Sequence, residues 1–222
     1  GGDAFMALAT RLAGRFRAGA AKVSVLGSAF FGSISGSASA NVASTGAVTL
    51  PTMTRLGYPR PLAAAVEATA STGGQIMPPL MGAGAFIMAE LLRTGYPRIL
   101  EAAILPALLF FLAVWVGVDL FARRHGLRPM EGDEIPAWRT VLTLLPFFAV
   151  PFGLLLWIMF GTGRTPQYAA AMASFAAAAL LLVDRTWRPD WRRFALRLER
   201  ALVTASRQIA QIASIILCAG IV

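Results

Sequence analysis

The chain has 222 residues, 57% of them hydrophobic and 14% charged, and a mean hydropathy of +0.65. A soluble domain carries about 25% charged residues, so this composition excludes an ordinary water-soluble core and reads as an integral membrane protein. The net charge of +9 would suit nucleic acid if the basic residues formed one patch, but they fall in short clusters between apolar runs, as in cytoplasmic loops and at lipid headgroups.

In chain order, Arg11, Arg15, Arg17 and Lys22 come first, followed by the stretch 20–56. Its apolar first half, 20–34, is too short to cross a bilayer. It gives way to Ser35-Gly36-Ser37-Ala38-Ser39-Ala40-Asn41 and returns to Arg55, which predicts a re-entrant helical hairpin. Residues 61–92 are long enough to span but are interrupted by Ser71-Thr72-Gly73-Gly74-Gln75-Ile76-Met77-Pro78-Pro79. Proline lacks a backbone donor and glycine is a poor helix former, so the helix is expected to unwind there. Backbone freed in lipid must be buried in protein or line a polar cavity, which makes a broken helix a candidate ion and solute site.

Three uninterrupted spans are expected, at 99–121, 141–160 and 166–183. Arginine placement orients them. Both hairpin ends, the loop with Arg123, Arg124 and Arg128, and the run Arg185, Arg188, Arg192 and Arg193 fall on one side, the cytoplasmic one. Between Asp190 and Arg207, apolar residues alternate with arginines at helical spacing and predict a helix lying in the interface plane, the alternative being a solvated connector. The chain starts Gly1-Gly2-Asp3 with no signal peptide and stops inside the apolar stretch 209–222, so it is expected to be an internal piece of a larger permease.

Enzyme chemistry has no support. No nucleophile lies beside a base, His125 sits alone in a basic loop, and Cys218 is single within an apolar run. Glu67, Glu90, Glu101 and Asp119 lie toward segment ends, where a structural role is expected, although Glu67 is only about one helical turn before Ser71. The two polar apices supply neutral oxygen ligands suited to an alkali cation such as Na⁺, and no cofactor motif is present. The candidate Na⁺ ligands are Ser35, Gly36, Ser37, Ser39, Asn41, Thr45, Ser71, Thr72, Gly73, Gly74 and Pro78. Candidate substrate-binding residues are Ser37, Asn41, Thr72 and Gln75. Gly32, Gly36 and Ala40 also form a small-residue face that packing alone would explain. An ion channel with re-entrant selectivity segments is the alternative of a different class.

The runs from Phe31 to Val42 and from Ala65 to Pro79, in this order and at this spacing, resemble the large membrane subunit of TRAP transporters, the tripartite ATP-independent periplasmic transporters. Other branches usually carry an acidic residue where Asn41 stands and an Ile-Gly-Pro-like sequence at 73–75. Gly73-Gly74-Gln75 is similar instead to the TAXI-associated branch, in which small and large subunits are often fused. The resemblance implies an all-α, multi-pass elevator transporter of the bacterial inner membrane, coupled to Na⁺. It implies an organic acid as substrate, delivered by a periplasmic solute-binding protein, and a small membrane subunit as partner. It also implies that 1–125 holds transport-domain elements, namely the hairpin 20–56, the broken helix 61–92 and the helix 99–121. A cytoplasmic loop would occupy 126–140. Scaffold helices would occupy 141–222, including an arm helix at 190–207 and the start of the next segment, ahead of an inverted second repeat.

Overall fold

The computed structural model describes residues 2–127, 129–130, 135–182 and 191–219. Arg128, residues 131–134 within the expected loop, residues 183–190 with Arg185 and Arg188, and residues 220–222 lie outside the described residues. Every regular element among the described residues is helical. The chain divides into two compact units, 1–142 and 143–222.

The first unit opens with α1 (Gly2–Ala13), which sequence patterning did not single out. Its Met6, Ala9 and Ala13 pack on Val23 of α2 (Gly19–Ser35). α3 (Ala38–Arg55) follows after only Gly36 and Ser37. At about 1.5 Å per residue these two helices are roughly 26 Å long, short of the ~30 Å of a hydrocarbon core. The turn between them has a local cause. Gly36 adopts φ +57°, donates its amide to Gly32 O at 3.0 Å, and so ends α2 in the left-handed conformation glycine tolerates. Ser37 then caps α3 by accepting from Ala40 N at 3.3 Å.

The broken helix forms where the sequence predicts it. α4 (Arg60–Gly73) tightens into a 3₁₀ turn at Gly74–Ile76, passes through irregular backbone with a cis Pro78–Pro79 bond, and resumes as α5 (Ala83–Leu91). α6 (Tyr96–His125) is the one described helix that is alone long and apolar enough to cross a membrane. Leu100, Ala107, Phe111, Val118 and Ala122 face inward at alternating spacings of seven and four, whereas Leu105, Leu108, Leu109, Leu112, Val116 and Leu120 form an exposed stripe. An apolar face left uncovered at this length is what a lipid-facing helix presents.

Contacts within the first unit bring together the ends that arginine placement had put on one side. Lys22, at the start of the hairpin, pairs with Asp119 near the end of α6 at 2.5 Å, and Arg123 holds the other carboxylate oxygen at 2.7 Å. The Lys22 ammonium also lies 5.0 Å from the Trp115 ring. At the hairpin's far end, Leu56 and Tyr58 share a cluster with Val118 and Leu127.

The second unit departs from the expected span at 141–160. α7 (Trp138–Leu144), which crosses the division between units, stops at Leu145, and α8 (Pro146–Leu156) continues as a π turn over Trp157–Gly161. Pro146 has no amide to donate back to residue 142, which accounts for the interruption. Taken together, these pieces make a second candidate span. α9 (Pro166–Leu180) starts at a Thr165 cap and packs against α8. α10 (Trp191–Ala219) begins within the expected interfacial helix and runs unbroken into the segment expected to follow it, because no glycine or proline intervenes. Arg197 Nη1 donates to Leu181 O at 3.3 Å.

Candidate functional site

The two polar apices meet through glycine. A Cβ on Gly32 would lie 2.3 Å from Gly74 Cα, and one on Gly74 would lie 2.7 Å from Gly32 Cα and 2.8 Å from Asn41 Nδ2. The backbones of α2 and the break therefore touch directly, and the small-residue face does pack, but against the second motif. Leu80 N donates to Ser33 O at 3.1 Å, which ties the far side of the break to the hairpin. Gly82 N donates to Gln75 O at 2.8 Å, and the Tyr96 hydroxyl reaches Pro79 O at 3.0 Å and Leu80 O at 3.1 Å. The carbonyls freed by unwinding are thus partly claimed by protein groups, as buried backbone demands.

Below the glycine contact lies a buried polar core built from α2, α3 and α4. Its members recur every four residues on each helix, Ser24 and Ser28, then Asn41, Thr45 and Thr49, then Glu67 and Ser71, so each set occupies one helix face. None of the seven is more than 2% exposed. Asn41 Nδ2 donates to Ser28 O at 2.9 Å and lies 3.4 Å from Ser71 O, which places it across all three helices. Ser28 Oγ lies 3.4 Å from both Thr45 Oγ1 and Ser71 Oγ.

Glu67 is the centre of this core. Its Oε1 accepts from Thr45 and, at 3.3 Å, from Ser71, and its Oε2 accepts from Thr49 and, at 2.7 Å, from Ser24. Every partner of this 1%-exposed carboxyl group among the described residues is a neutral hydroxyl. A segment-end role with a nearby arginine describes Asp119, and Glu90 and Glu101 are exposed, but Glu67 fits neither description.

Of the residues predicted as ligands, the structure gathers Asn41, Thr45 and Ser71 in the core and buries Gly73 and Gly74 at its roof. Ser35, Gly36, Ser37 and Ser39 stay at the hairpin turn, where Ser37 Oγ lies 3.2 Å from Ser39 Oγ and Ser37 N donates to Ser35 Oγ at 3.4 Å. Thr72 and Gln75 are exposed, and the Thr72 hydroxyl donates to Ala68 O of its own helix at 2.8 Å. Pro78 is half-buried. Residue-by-residue reading missed Ser24, Ser28 and Thr49. The signal available for them was the four-residue period of polar residues on all three helices.

A family model, that of the tripartite ATP-independent periplasmic transporter, DctM component, matches residues 1–222. The chain belongs to the DctM family. This DctM-family chain is 30% identical over 181 residues to the C4-dicarboxylate TRAP transporter large permease protein DctM of Pseudomonas aeruginosa, covering 79% of the chain and 41% of that protein. It is 28% identical over 196 residues to the uncharacterized protein y4mL of Sinorhizobium fredii, covering 87% of the chain and 46% of that protein. It is 28% identical over 183 residues to the uncharacterized protein YgiK of Salmonella typhimurium, covering 80% and 41%. The chain thus spans less than half the length of the curated relatives it matches. Membership points to a transporter component of the membrane and away from an enzyme, in keeping with the helical, apolar character of the chain.

Proposed function

We propose that the chain is part of the large permease subunit of a tripartite secondary transporter. In this reading it sits in the inner membrane as a multi-pass protein and takes up an organic acid on a Na⁺ gradient. A periplasmic solute-binding protein delivers the acid and a small membrane subunit completes the complex, fused or separate. The name of the Pseudomonas aeruginosa relative makes a C4-dicarboxylate the first substrate to test.

The observation that carries the reading is the direct contact of the hairpin with the helix break, Gly32 of α2 against Gly74 and Gly36 of the turn against Met81, over a buried core of oxygen ligands. Packing alone needs small residues, but it does not need a hairpin turn and an unwound helix at the same place. Short helices whose ends lie inside the membrane leave carbonyls and dipoles for a cation and an anion to share. The α2–α3 pair acts as the re-entrant hairpin of an elevator, with α4, α5 and α6 in the moving body, and the helices from residue 141 onward act as scaffold. Asn41, Thr45, Ser71, Gly73 and Gly74 serve the cation. Ser37, Thr72 and Gln75, all outside the buried core, serve the substrate together with Asn41.

The test is uptake by the full-length permease, reconstituted with its binding protein in proteoliposomes and offered labelled C4-dicarboxylates. Uptake should require an inward Na⁺ gradient and should fall when Ser37, Asn41 and Thr72 are all replaced by Ala. Uptake of the same rate without Na⁺ would overturn the coupling, and an unaffected triple variant would overturn the site.

A further inference from the structure

We infer that Glu67 is the anionic ligand of the coupling cation, in a site set below the hairpin turn and completed by Asn41, Thr45, Thr49 and Ser71. The inference rests on the Na⁺-coupled reading above and adds to it the charge that the neutral ligands lack.

Charge is the first argument. A carboxylate buried to 1% exposure with four neutral hydroxyl partners has no compensating charge among the described residues. A bare carboxylate in a low-dielectric interior costs several kcal/mol unless a proton or a cation accompanies it, and the ring of oxygen atoms around this one suits a cation. The surrounding groups exclude most candidates. Both carboxylate oxygens are enclosed by side chains of three helices, and no lysine or arginine is among their partners in the described residues. The core contains one carboxylate and no histidine or cysteine, and no group of three metal-binding side chains occurs among the described residues. A divalent cation would keep an excess charge there, whereas one monovalent ion balances it, and oxygen-only ligands select a hard alkali ion.

Proton counting is the second argument. A hydroxyl carries one proton and two lone pairs. The Thr45 hydroxyl is within reach of Glu67 Oε1, of Asn41 O at 2.9 Å and of Asn41 Oδ1 at 3.5 Å, and it can donate to one of them at a time. While it serves Glu67, the fully buried Asn41 Oδ1 is left without a donor, since 3.5 Å to Thr45 is its closest hydrogen-bond contact among the described residues. Thr49 has the same choice between Glu67 Oε2 and Thr45 O at 3.1 Å. When both threonines turn their protons to the carbonyl four residues back, their lone pairs and the Asn41 amide oxygen face the carboxylate's surroundings as ligands. The core therefore has two proton arrangements, one that satisfies a bare carboxylate and one that presents oxygen to a cation.

The experiment measures Na⁺ alone on the purified full-length permease, by calorimetric titration and by the rise in melting temperature with NaCl at ionic strength held constant with choline chloride. Glu67→Gln keeps the shape and removes the charge. Glu101→Gln removes an exposed carboxylate and serves as the control. The inference expects wild type and Glu101→Gln to bind Na⁺ alike, and Glu67→Gln to bind at least ~10-fold more weakly while still melting cooperatively. Asn41→Ala, which keeps the charge and loses the amide oxygen, should also weaken binding, and Glu67→Asp, which keeps the charge but withdraws it by one methylene and should bind Na⁺ more weakly, decides the matter if Glu67→Gln does not fold. Wild-type affinity in Glu67→Gln, in Asn41→Ala or in Glu67→Asp overturns this site and leaves the Na⁺-coupled reading standing with its ion at the hairpin turn. Failure of wild type and Glu101→Gln alike to bind Na⁺ overturns that reading and this inference with it.

Discussion

Gly32→Ala strikes the contact on which the site depends. The new Cβ would fall 2.3 Å from Gly74 Cα, 3.2 Å from Gly74 C and 3.1 Å from Asn41 Nδ2. Carbon atoms rest about 3.5–4.0 Å apart, and two of the three neighbours are backbone, so no change of rotamer relieves the overlap and the hairpin must withdraw by roughly 1 Å. That withdrawal takes Asn41 Nδ2, now 3.4 Å from Ser71 O, beyond hydrogen-bonding range. Overpacking of ~1–3 kcal/mol and a lost hydrogen bond of ~1 kcal/mol give a destabilisation of about 2–4 kcal/mol. At 150–250 residues that would lower the melting temperature by about 4–16 °C, and the longer full-length permease should show a smaller drop of a few degrees. Gly84→Ala supplies the contrast, because nothing lies within 4 Å of a Cβ there and the residue is helical with ordinary φ. It should leave stability unchanged or raise it by ~0.4–1 kcal/mol. Thermal melts of the full-length permease, followed by tryptophan fluorescence, separate the two variants. Equal melting temperatures would show that the hairpin and the break do not touch as described.

Lys22→Met leaves Asp119 with Arg123 alone and should lower the melting temperature; adding Asp119→Asn should recover part of that loss, and a double-mutant cycle of melting temperatures measures how much. Tyr96→Phe removes the hydroxyl that meets Pro79 O and Leu80 O, and should cost ~1–2 kcal/mol and raise thiol labelling of a cysteine placed at Ile76, whereas unchanged labelling would show that the hydroxyl does not hold the break. Thr72→Ala should shift stability by less than ~0.5 kcal/mol, since its exposed hydroxyl bonds only its own helix, yet raise the KM for uptake; an unchanged KM removes Thr72 from the substrate path.

Glycine and proline made the interruptions legible in the sequence. Ser35 to Asn41 and Ser71 to Pro79 both mark real departures from helix, because the missing proline donor and the missing glycine Cβ act locally and need no tertiary context. What lay beneath them was harder to see. Ser24 and Ser28 sit within an apolar stretch, and only the docking of three helices reveals that they face Glu67. Lys22 was read as one member of a basic cluster, yet it is buried against Asp119, 97 residues away. No local rule signals a partner at that distance. Conversely, α10 runs through a boundary drawn from composition, since hydropathy changes along it while nothing in the backbone interrupts it.

That 97-residue separation imposes an order on biosynthesis. Every side chain of the Glu67 core has been synthesised once Ser71 has been added, so the core is built from early, neighbouring helices. Lys22 must wait for Asp119, and until α6 arrives its ammonium has to stay at the membrane surface or be sheltered by the insertion machinery. The clasp therefore closes after the buried polar core it borders, and a chain that ends between residues 71 and 119 would carry every residue of that core without the ion pair that fastens the hairpin to α6.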